Sequence, residues 1–140
     1  MKILLAVDGS PVSKRAVKHV VGLVRQMSTP PELVLLNADP PLLQAAAVKI
    51  GIEGVKRYHR ENGEYATRTA RAALSRAKVP FTEKLVVAEP AEGIIDEARK
   101  GGHDLIVMGS HGRGAIKGLL LGSVTSKVIA NCDTPVTVVR

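Results

Sequence analysis

The stretch from Met108 to Val128, MGSHGRGAIKGLLLGSVTSKV, sets five glycines beside His111, Arg113 and Lys117. Glycine inside a folded domain is entropically costly. A cluster of it therefore points to left-handed backbone, a close approach to something bound, or a flexible loop. The stretch runs into what reads as a helix start, where the free N–H groups and positive helix end at Gly122, Ser123, Val124 and Thr125 suit a phosphate. The other candidate is Asp8, in AVDGS, whose carboxylate accepts from amino or hydroxyl groups and is equally able to cap the following helix with Ser10.

The familiar phosphate loops do not fit. Gly109 to Gly114 has the Walker A spacing, but Ala115 and Ile116 follow where Lys and Ser or Thr are needed, and the first β-α turn, DGSPVS, lacks a dinucleotide fingerprint. His111, Arg113 and Lys117 read equally well as solvated loop residues or as contacts that add Coulomb energy beside phosphates. Ser110 and His111 are not read as a catalytic pair, since sequence neighbours rarely face each other and no third group orients the imidazole. His19, His59 and His103 show no metal-ligand spacing. Cys132 reads as a packed small side chain.

The elements that must position these residues are legible as short apolar runs. KILLAV, ELVLLN, EKLVVA, DLIVMG and PVTVVR lack polar alternation, the pattern of strands buried on both faces of a parallel sheet. Helical spacing appears over Pro11 to Met27, with Ser10 as N-cap and Pro11 at the first position. It recurs over Val55 to Lys78, with Tyr65, Ala66, Ala70, Ala73, Leu74 and Ala77 on one face, over Ala91 to Lys100, and over Gly122 to Asn131. Strands alternating with helices predict an α/β fold, a doubly wound five-stranded parallel sheet with helices on both faces. Ala38 to Gly54, broken by Pro40 and Pro41, reads as either a loop or a short helix. No repeat or linker divides residues 1–140, so a single domain is expected.

Open α/β sheets bind ligands beyond the carboxyl ends of their strands, where strand order reverses. If the first strand is central, that point lies between AVDGS and MGSHG. The glycine stretch then falls at the expected ligand site.

Composition narrows the function classes. The 140 residues are 45% hydrophobic but only 2% aromatic, which argues against stacking platforms for single-stranded nucleic acid. The net charge of +7 is spread along the chain, as on a solvated basic surface. No run approaches the roughly 18 apolar residues of a membrane span, so neither nucleic acid nor membrane is expected as a partner, and a cytoplasmic location is.

With these residues in view, the chain resembles the ATP-binding universal stress proteins. The family motif, Gly, two residues, Gly, nine residues, Gly, then Ser or Thr, is met by Gly109, Gly112, Gly122 and Ser123, with Asp8 closing the first strand and AEPAEGI opening the third helix. The resemblance implies a Rossmann-like sheet in order 3-2-1-4-5, ATP across the first and fourth strand ends, and a homodimer paired through the last strand, Pro135 to Arg140. It implies that Asp8 meets the adenine or ribose edge beside the backbone of Ala6 and Val7. Met108, Gly109, His111 and Gly112 would run under the ribose and phosphates, and Gly122, Ser123, Val124 and Thr125 would close on the phosphates. Family members often end the second strand with His-Val. This chain has Asn37-Ala38, and the smaller Ala38 leaves a looser wall against the base.

Mg²⁺ can accompany ATP through phosphate oxygens and water without a protein cage. The expected function is a nucleotide-responsive dimeric stress module. Two alternatives stay open: a slow ATPase or nucleotidyl-transferring enzyme on the same fold, and an interaction module that no longer binds nucleotide. No general base, assignable arginine finger or paired carboxylates are visible, so any hydrolysis is expected to be slow.

Overall fold

The computed structural model describes residues 1–112 and 120–140. The expectations for Arg113 and Lys117 lie outside the described residues. In chain order the elements are β1 (Lys2–Ala6), α1 (Pro11–Gln26), β2 (Glu32–Asp39), α2 (Gln44–Arg76), β3 (Thr82–Val87), α3 (Pro90–Gly101), β4 (Leu105–Gly109), α4 (Ser123–Asn131) and β5 (Val136–Val139). The five strands form one parallel sheet in order β3-β2-β1-β4-β5. The expected α/β architecture and strand order are both observed.

The unbroken apolar runs follow from burial on two sides. Along β1, Ile3 and Leu5 join Val7 in a core with Ala16, Val17 and Val20 of α1 and Ala70 and Leu74 of α2. Leu4 and Ala6 face the other way, into a core with Ala91, Ile94 and Ala98 of α3 and Val128 of α4. Successive side chains of a strand point to opposite faces, so a central strand with helices on both sides reads as a run of apolar residues. β3 departs from this rule. At the sheet edge it is half covered, and Leu85 and Val87 are exposed.

The helix starts are locally encoded. At α1, Ser10 Oγ accepts from Ser13 N at 3.2 Å and Pro11 occupies the first turn, as the sequence predicts. Ala38 and Asp39, expected to open an irregular segment, instead extend β2, and α2 starts at Gln44, eleven residues before the expected Val55. A kink at Gly51 (φ 72°, ψ 174°) interrupts it. That backbone conformation is essentially restricted to glycine, so Gly51 lets two helical pieces abut where the sequence pattern reads as broken. Tyr65, expected on the inner face of α2, is exposed, and Gly63 and Thr67 are buried with Ala66 instead. Among the described residues no helix is long and apolar enough to cross a membrane.

Candidate functional site

The strand order reverses between β1 and β4, and a cavity of about 420 Å³ opens beyond the ends of β1, β2 and β4. Ten of the sequence-derived candidates line it: Ala6, Val7, Asp8, Ala38, Met108, Gly109, His111, Gly112, Val124 and Thr125. The other two, Gly122 and Ser123, are not part of this lining and form the N-cap and first residue of α4, just before Val124.

Asp8 is held by the turn it ends. Its Oδ1 accepts from Ser10 N at 2.9 Å and from Ser13 Oγ at 2.6 Å, while Ser13 Oγ accepts from Asp8 N at 3.1 Å. Asp8 thus braces the start of α1, and Ser10 supplies the N-cap. The other carboxylate oxygen faces Gly112, where a built Cβ would sit 2.9 Å from Asp8 Oδ2. One oxygen fixes the side chain and the second is turned toward the glycine loop.

The glycines bring backbone close to backbone. A Cβ at Gly109 would lie 2.9 Å from Val12 Cγ1 and 3.2 Å from the Val12 carbonyl carbon, so bare backbone here lets β4 pass the start of α1. For Gly109 the close neighbour is the first turn of α1. At Gly122 a Cβ would meet His111 Cα at 3.3 Å and Ser110 O at 3.4 Å, and Gly122 N donates to Ser110 O at 2.7 Å. The chain entering α4 therefore lies directly on the chain leaving β4.

This crossing aims α4. Thr125 Oγ1 donates to Gly109 O at 2.9 Å and Thr125 is buried, so its hydroxyl fastens the helix to the strand end. Gly122 offers no side-chain cap. The N–H groups of Ser123, Val124 and Thr125 have no partner within the helix, which is the donor set an anion requires.

Ser110 Oγ and His111 Nδ1 are 2.8 Å apart, contrary to the expectation that these neighbours do not face each other. Ser110 itself is buried, which removes its hydroxyl from the cavity surface.

The far wall holds residues that the motif did not indicate: Asp39 at the end of β2, Pro40 after it, and Tyr58, Asn62 and Ala66 of α2. His59 and Asn62 both bond the Asp39 carboxylate. A usable signal lay in the sequence, because positions 59, 62, 66 and 70 share one helical face and the first two are polar on an otherwise buried stripe. The Asn37 side chain, in place of the family's frequent histidine, is buried and donates to Val7 O at 2.8 Å, tying β2 to the end of β1. Among the described residues no cluster of His, Cys, Asp or Glu could hold a metal ion.

Comparison with known proteins agrees with this geometry. The sequence profile of the universal stress protein family matches residues 1–140. The chain belongs to that family. It is 34% identical to a universal stress protein of Thermus aquaticus, over 99% of this chain and 97% of that one. The solved structure of Methanocaldococcus jannaschii MJ0577 superposes with a TM-score of 0.83 at 31% identity, covering 99% of this chain and 94% of the other. A universal stress protein in complex with cAMP superposes with a TM-score of 0.68 at 25% identity, over 100% and 96%.

Proposed function

We propose that residues 1–140 form a single nucleotide-binding domain that takes an adenine nucleotide, ATP by the family motif, and acts as a homodimeric module whose partner surface responds to the bound nucleotide. The reading rests on one observation above all. The N-terminus of α4, whose first N–H groups have no partner within the helix, is pinned by Gly122 and Thr125 against the end of β4, in the same cavity as Asp8 and Gly112. Phosphates go to the α4 N–H groups, and Asp8 takes a hydroxyl or amino group of the nucleoside. About 420 Å³ lies within the usual 300–1,000 Å³ range of small-molecule sites. The cAMP complex of a family member lends the adenine nucleotide further support.

The decisive experiment is to denature purified protein, chromatograph the supernatant for adenine nucleotide, and titrate the nucleotide-free protein with ATP by calorimetry. Retained or titratable ATP is expected. A folded protein that neither carries nor binds it overturns the reading.

The dimer follows from the sheet edge. Among the described residues β5 pairs only with β4, and no proline or charge interrupts Val136 to Val139. Two copies meeting antiparallel about a two-fold axis satisfy each other's free backbone groups. Sedimentation at micromolar concentration should show a dimer that Val138→Pro weakens, because proline removes a donor and fixes φ. A wild-type monomer, or a proline variant that dimerises equally well, moves the interface elsewhere.

A further inference from the structure

On the cavity wall opposite the glycines, Asp39 closes β2 one residue beyond Ala38 and borders the cavity with Asn62. His59 Nδ1 donates to Asp39 Oδ2 at 2.5 Å, and Asn62 Nδ2 donates to the same oxygen at 3.1 Å, with a longer 3.4 Å approach to Oδ1. The Tyr58 ring stands edge-on to His59, with centroids 5.2 Å apart. The side chains of His59 and Asp39 are only 9% and 17% exposed. His59 lies behind the wall rather than on it, so two donors from α2 fix one carboxylate oxygen. Asp39 Oδ1, with a single long contact, and the Asn62 carboxamide oxygen retain capacity to accept.

Position decides what would meet these acceptors. β1 lies between β2 and β4, so the ends of β2 and β4 are two strand spacings apart, about 10 Å, and Asp39 stands two residues beyond the level of Gly109. A nucleotide with its phosphates on α4 crosses β1 and brings its base to Ala38 and Asp39. A wall of acceptors favours a base that presents an N–H there. Adenine offers its exocyclic 6-amino group, whereas hypoxanthine carries a carbonyl oxygen at that position, and its one donor on that edge, the ring N1–H, is displaced from where the amino group points. Two facing acceptors, at least one of them on a carboxyl group, are unfavourable in a site shielded from water.

We propose that Asp39, fixed by His59 and Asn62, is a specificity-determining residue that accepts a hydrogen bond from the exocyclic amino group of the base and so selects adenine over hypoxanthine nucleotides. The inference rests on the nucleotide reading above. It assigns base selection to a side chain outside the glycine motif and compensates for the looser wall at Ala38.

The test is calorimetric titration of wild type, Asp39→Ala and Asp39→Asn with ATP and with ITP. A hydrogen bond to a charged acceptor corresponds to a wild-type preference for ATP of about 10- to 100-fold. Asp39→Ala should bring the two affinities to within about threefold, since a tenfold ratio reflects only one such bond. Asp39→Asn, whose amide can turn an N–H toward the 6-oxo group, should shift the preference further toward ITP. The ratio on one sample is insensitive to its folded fraction, and the nearly isosteric Asp39→Asn decides if the alanine variant does not fold. Wild type that binds neither nucleotide removes the nucleotide reading and this inference with it. Wild type that binds ATP and ITP equally, or a preference that persists in both variants, overturns this inference alone.

Discussion

At the β4–α4 end of the cavity the wall is backbone: Gly122 lies on Ser110 and His111, Gly109 passes Val12, and the donors proposed for the phosphates are main-chain N–H groups. At the β2–α2 end it is side chains, with Asp39 gripped by His59 and Asn62. The two ends therefore fail in opposite ways. A backbone site is damaged by adding atoms, because neighbouring main chain cannot move aside without shifting a strand or helix. A side-chain site is damaged by removing them, and since Asp39 and Asn62 border solvent, their loss costs selectivity more than stability.

The largest effect should come from adding both bulk and charge at the backbone end. Gly122→Glu places a Cβ about 3.3 Å from His111 Cα and a carboxylate where the phosphates are proposed to lie. The backbone at Gly122 (φ −76°, ψ 165°) is open to any residue, and the neighbouring chain need yield only a few tenths of an ångström to the new Cβ, so the fold should survive with a small loss of stability. ATP affinity should fall by at least about 100-fold, because a like charge inside a water-poor site is worth several kcal/mol. Unchanged affinity in a folded Gly122→Glu protein, measured by calorimetry, would remove the phosphates from α4.

What the sequence disclosed follows the same division. The sheet was legible because β1, β2 and β4 are buried on both faces, which forces apolar runs with no alternation. The backbone end was legible because close approach demands glycine, and glycine spacing can be read directly. The reason for each glycine was not, since what crowds Gly109 is Val12 of α1, roughly a hundred residues away in the chain. The side-chain end went unread because Asp39, His59 and Asn62 meet only once α2 packs beside β2. The start of α2 was hidden as well, as Gly51 breaks the helical phase and Val48 and Ile52 on either side of it are exposed, giving no stripe to follow.

The smallest effect separates the two ends most cleanly. Thr125→Val keeps shape and burial but deletes the hydroxyl that donates to Gly109 O at 2.9 Å. A lost hydrogen bond that leaves a buried carbonyl without its donor costs about 1–3 kcal/mol, so the melting temperature should drop measurably. ATP affinity should fall only severalfold, about 1 kcal/mol or less, because Gly122 N still anchors α4 to Ser110 O and the first-turn N–H groups survive. Asn62→Ala is the matching change at the other end. Its partner carboxylate keeps His59, and both residues reach the cavity surface, so stability should change by roughly 0.5 kcal/mol or less. Thermal unfolding of the pair without nucleotide is the measurement. If Asn62→Ala proves the more destabilising, the α2 grip on Asp39 is a structural clamp, and the division between a backbone end that holds the fold and a side-chain end that reads the ligand fails.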